Sequence, residues 1–135
     1  MKYILVLVLM FPSISFACSC LHQPLSKHVY DAKKIYVGVL TSSRIVETEK
    51  ENEWPYVEGT LSVETVIKGE AKETEIIRTG FGGGDCGIPM TVGNAYVIFY
   101  ERDGYRIGSC SASGELLRHE EKEYVEKLKS LVSKP

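Results

Sequence analysis

Apolar and polar positions change their period several times along this chain, and each change marks an element. Met1-Lys2 leads into an apolar run from Tyr3 to Phe11. Pro12 and Ser13 end that run, and Ser15-Phe16-Ala17 places small residues at both key positions of a cleavage site. A charge, an apolar stretch and a small-residue site, in that order, predict a cleavable secretory signal over 1–17. The run is shorter than the roughly 20 residues of a permanent span, and no second stretch of that length follows. Further on, Leu25 to Lys33 predicts a short helix with Leu25, Val29 and Ala32 on one face. Ile35 to Leu40 reads as a strand that continues to Val46, and the charged segment Glu47 to Glu53 as an exposed hairpin loop. Val57 to Ile67 alternates as a half-buried strand, and Thr74 to Thr79 is a third strand around Ile76 and Ile77. Phe81 to Gly93 is a long glycine-rich loop, and Ala95 to Tyr100 is apolar throughout, the pattern of a central strand. Asp103-Gly104 is a hairpin turn signal, with Tyr105 to Ser109 as the returning strand. In the tail, Leu117, Tyr124, Leu128, Leu131 and Val132 fall on one helical face.

Five strands are too few for a sandwich. With a short N-terminal helix and a C-terminal amphipathic helix they predict a mainly β fold, a five-stranded Greek-key barrel of the OB type. Removing 1–17 leaves 118 of the 135 residues, one domain over 18–135. The leader takes only Lys2, so 15 basic residues face 18 acidic ones in the mature chain, a net −3. That balance gives no electrostatic ground for a nucleic-acid partner.

The four cysteines, Cys18, Cys20, Cys86 and Cys110, all lie beyond the leader. An even set behind a signal peptide reads as a disulfide framework in a secreted or periplasmic protein. The alternative is a lipid anchor on Cys18. Bulky Phe16 fits a lipidation site poorly, and lipidation would leave three cysteines, one of them unpaired. A bridge between Cys18 and Cys20 would close a strained ring across one residue. The two remaining pairings both tie the first mature residues to Cys86 and Cys110. Loops of 70–90 residues contribute about 4 kcal/mol for the first bridge and less for the second. Cys-x-Cys followed by two lone cysteines is not a zinc-ribbon or finger spacing. His22, His28 and His119 form no metal motif, and no Lys-Ser/Thr follows Gly82-Gly83-Gly84 to make a phosphate loop. No hydrolase signature appears, so the reading is a non-enzyme without a cofactor.

The start Cys18-Ser19-Cys20, the mid-chain Cys86-Gly87 and the last Cys110 resemble the N-terminal domain of the tissue inhibitors of metalloproteinases, a netrin-like group of OB folds. The likeness runs through Asp31 to Gly38, the Val63 to Gly69 strand and Tyr96-Val97-Ile98-Phe99. It implies the pairing Cys18–Cys86 and Cys20–Cys110. It also implies that the α-amine and carbonyl oxygen of Cys18 chelate the zinc of a target metalloendopeptidase. Ser19 would then point into the specificity pocket, and Leu21, Asp85 and Gly87 would flank it on a ridge with Cys20 and Cys86. Tyr30 stands where the family has a further cysteine, and the family's cysteine-rich C-terminal half has no counterpart. Netrin-like domains also serve as binding modules, so a non-inhibitory module of the envelope or extracellular space is the alternative function.

Overall fold

The computed structural model describes residues 18–50, 53–101 and 106–134. The expected signal segment and the Asp103-Gly104 turn lie outside the described residues. Leu25–Asp31 forms α1, Lys34–Val46 β1, Tyr56–Lys68 β2, Thr74–Thr79 β3, Ala95–Tyr100 β4, Arg106–Ile107 β5, Gly114–Leu116 β6 and Glu121–Val132 α2. The strands build one six-stranded sheet in the order β5-β3-β2-β1-β4-β6. Neighbours run antiparallel except β3 and β5, which run parallel.

The first half of β1, 35–40, and β4 read as nearly unbroken apolar runs because both of their faces are covered. Ile35, Val37, Val97 and Phe99 meet Val29, Ala32, Val125 and Leu128 in a cluster between the sheet and the two helices. Tyr36, Leu40, Tyr96 and Ile98 point the other way, into a second cluster with Leu61, Ile77, Ile88 and Ile107. β1 supplies both clusters by alternation, and register shifts interrupt its pairing with β2, one of them between Leu40 and Ser42. A bulge of this kind bends the strand and reverses which side chains face inward.

Polar contacts fix the helices. The Lys68 ammonium donates to the carbonyl oxygens of Val29 (2.7 Å) and Tyr30 (3.0 Å) at the end of α1. These carbonyls have no intrahelical donor, so the lysine supplies one. Glu121 and Glu123 occupy the first turn of α2 and Lys129 the last, an order that complements the helix dipole. Arg118 pairs with Glu64 on β2 (2.7 Å) and Glu121 (2.8 Å), tying the helix start to the sheet.

Three expectations are corrected. The described sheet has six strands rather than five, because Gly114–Leu116 pairs with β4. Arg106–Ile107 does not return beside β4; it lies parallel to β3, with Ile107 opposite Thr79 and buried in the second cluster. Burial of Ile107 there outweighs the local hairpin signal, and β6 takes the free edge of β4. Leu117 lies ahead of the helix and is half-exposed, so the buried face of α2 starts later, with Val125 and Leu128.

Candidate functional site

β3 ends on Thr79, which is fully buried. Its hydroxyl accepts the N–H of Ile88 at 2.9 Å, closing the base of the loop between them. Inside the loop, Gly82 (φ 94°) and Gly83 (φ 70°) adopt left-handed conformations that glycine tolerates. A short 3-10 turn, Gly83–Asp85, follows.

Asp85 organises the loop. Its carboxylate accepts the N–H groups of Phe81 (2.5 Å), Gly82 (2.8 Å) and Gly87 (3.1 Å). Partial desolvation pushes its carboxyl pKa up, but these donors and its own N–H outweigh that and hold it below the ordinary aspartate range. The loop leaves no room for a side chain at either Gly80 or Gly87. A Cβ on Gly80 would lie 2.5 Å from the Asp85 carboxyl carbon, and one on Gly87 would lie 2.3 Å from the Gly80 backbone. Asp85 therefore shapes the loop from inside.

A depressed carboxyl pKa stabilises the fold fully above the unfolded-state value of about 3.9, and the contribution is lost as pH falls through the lower folded-state value. Asp85→Asn will cost about 1 kcal/mol at neutral pH, the scale of a lost side-chain cap. Urea midpoints at pH 6 and pH 3 check this: the wild type loses more stability across the interval than the variant. An equal loss would contradict the assigned role.

Cys86 sits just past the turn in the left-handed region (φ 59°). It is bridged to Cys18 with a Cα–Cα distance of 5.7 Å, and Cys20 is bridged to Cys110 at 5.1 Å. This is the pairing that the resemblance implies. The bridges enclose sequence separations of 68 and 90 residues. The two receiving loops are also bonded to each other, since Ser109 N–H donates to Cys86 O at 2.8 Å. A Cβ on Gly108 would fall 2.7 Å from that same oxygen, so glycine permits the approach.

The described chain thus starts with a tripeptide fixed at both ends to a rigid base. Cys18 is half-buried, with its sulfur 3.4 Å from Gly83 O, while Ser19, Cys20 and Leu21 are exposed. Leu21 is 83 % exposed, high for an apolar side chain that two bridges hold close by. The structure brings Cys18, Ser19 and Cys20 to the loop that carries Cys86 and Gly87, and Asp85 holds that loop through the N–H groups of Phe81, Gly82 and Gly87. The reading of the sequence missed Thr79, Gly80 and Gly108, which support the cysteines. The glycines were the available signal, since five of the eight residues over 80–87 are glycine. Next to the loop, Ser43, Arg44, Ile45, Val57, Phe81 and Met90 line an open groove of mixed polar and apolar character.

Among the described residues, no three His, Cys, Asp or Glu side chains gather into a metal site. No described helix is long and apolar enough to cross a membrane. No protein-family model matches this chain, and no curated protein matches it in sequence.

Proposed function

We propose that this chain is an exported inhibitor of zinc metalloendopeptidases, built on a netrin-like OB barrel and acting through the α-amine and carbonyl oxygen of Cys18. The observation that carries the reading is the tripeptide Cys18-Ser19-Cys20, tied by disulfides at both ends to loops that are themselves hydrogen-bonded together. Two disulfides suit an oxidising compartment, which favours secretion or the periplasm.

The chemistry requires a leader cleaved after Ala17. The freed amine and the carbonyl oxygen of the same residue then form a five-membered chelate on the target's zinc. They occupy the position its catalytic water needs. An α-amine has a pKa of about 7.7–8, so the neutral, ligating form is accessible near neutrality. The bridges order the prong before binding, which lowers the entropic cost of association. Ser19 enters the specificity pocket, and Leu21 adds apolar contact beside it.

The test is inhibition of peptide hydrolysis by protein that begins at Cys18, measured on a panel of purified zinc endopeptidases with a serine endopeptidase alongside. At least one zinc enzyme is expected to be inhibited stoichiometrically and the serine enzyme untouched. No inhibition anywhere on the panel would overturn the reading.

The second reading is a non-inhibitory module that binds a protein of the envelope or extracellular space. It draws support from the open groove beside the loop, where the apolar side chains of Ile45 (60 %) and Phe81 (51 %) stand exposed next to Arg44. Its binding would be indifferent to any residue added ahead of Cys18.

A further inference from the structure

The outward face of the sheet carries a charged row that the inhibitory reading does not use. The bulge between Leu40 and Ser42 reverses the facing of β1, so Arg44 lies opposite Glu58 on the side away from the second cluster. Glu58 in turn lies opposite Arg78, and Arg78 lies beside Arg106. Four strands therefore contribute one residue each to a single line, Arg44–Glu58–Arg78–Arg106. With neighbouring strands about 4.8 Å apart, the line is about 14 Å long.

Two of the three guanidinium groups share one carboxylate. Arg44 donates to Glu58 Oε1 from Nη2 (2.7 Å) and Nε (3.1 Å), and Arg78 Nε lies 3.5 Å from Oε2. These guanidinium groups hold the Glu58 carboxyl below its ordinary range. Arg78 and Arg106 lie 5.1 Å and 4.7 Å from the centroid of the Tyr56 ring, covering it. Arg106 also donates to Trp54 O at 3.4 Å, and the Trp54 side chain is 81 % exposed. Like charges directly across two strands destabilise a sheet. The Arg78–Arg106 pair is such a case, and it stands in a chain whose charge is otherwise acidic.

We propose that this face binds an acidic polysaccharide, whose sulfate or carboxylate groups dock on Arg78, Arg106 and the outer edge of Arg44 while Trp54 packs against a sugar ring. Guanidinium forks suit such oxyanions because they present paired donors and shed water readily. Glu47, Glu49 and Glu53 on the hairpin loop repel a polyanion, so the ligand crosses the strands along the row instead of running towards the hairpin tip. Single-stranded nucleic acid fits less well. It needs aromatic faces for successive bases, and the Tyr56 face is taken by two guanidinium groups.

Binding of the full mature protein to heparin (sulfate and carboxylate) and to polygalacturonate (carboxylate alone) at low salt tests this proposal, with a single-stranded oligonucleotide as comparison. The two polysaccharides separate a sulfate requirement from a general carboxylate one, and binding to either supports the proposal. The double change Arg78→Gln/Arg106→Gln is expected to weaken binding at least tenfold. Glu58→Gln, which removes the competing carboxylate, is expected to tighten it about threefold, and a misfolded variant cannot mimic that gain. Affinity should fall with added salt as counterion release requires, and Arg118→Gln, on a separate ion-pair network, should leave it unchanged. Neither polysaccharide binding, equal or tighter binding of the oligonucleotide, or weaker binding by Glu58→Gln would overturn the proposal. The test is independent of protease inhibition.

Discussion

Adding a single alanine ahead of Cys18 will reduce inhibition of a susceptible zinc endopeptidase by at least about 100-fold, or about 2.7 kcal/mol. The extra residue converts the α-amine into an amide. An amide nitrogen is not a basic ligand, so the chelate loses one of its two donors and the added methyl group collides with the metal site. Nothing else needs to change, because the new residue lies outside both bridges. Circular dichroism and the urea midpoint should therefore match the parent. Comparing inhibition constants for the two forms on one enzyme checks the effect. Undiminished potency would reject chelation by Cys18 and leave the binding-module reading in its place.

The second large effect concerns stability. Replacing Cys20 and Cys110 together by serine opens a loop with a sequence separation of 90 residues. With the Cys18–Cys86 bridge still present, the cost is about 2–4 kcal/mol, since the chain stays partly constrained. Removing both bridges costs more than either alone and approaches the total stability of a small domain. Urea unfolding of the two variants and the parent, under non-reducing conditions, gives the differences. Ser109 N–H and Cys86 O would still join the loops in the first variant, so the native sheet should persist while the prong is freed at Cys20. Inhibition should weaken along with stability. A loss under about 1 kcal/mol would mean that the bridge adds little constraint to the chain.

The elements read most accurately from the sequence are those whose local pattern and tertiary setting agree. Ala95 to Tyr100 is apolar at every position because Val97 and Phe99 face the helices while Tyr96 and Ile98 face the second cluster. β2 alternates because part of its length has one face in solvent. β6 is three residues long, too short to show a period, and its existence depends on the open edge of β4. The position of β5 depends on Ile107 reaching a buried site beside Thr79, a pairing between residues distant in sequence. Leu117 fits the helical period by coincidence, since the helix begins only at Glu121. At the candidate site, the four cysteines were visible at once, and the resemblance rather than the spacing supplied the pairing. The inward role of Asp85 could not be read, because it arises from three N–H groups that converge only when Gly80 and Gly87 come together. The arginine row was equally hidden: a single bulge in β1 decides whether Arg44 faces out or in, and sequence alone does not place a bulge.

Intact mass and disulfide mapping of the protein recovered after export, without reduction, bear most directly on the whole account. The expected species starts at Cys18, carries no adduct, and yields cross-linked peptides joining 18 to 86 and 20 to 110. A retained leader, a diacylglyceryl group on Cys18, or free thiols at 86 and 110 would contradict it, because no unblocked, anchored amine would then be available to meet a zinc ion.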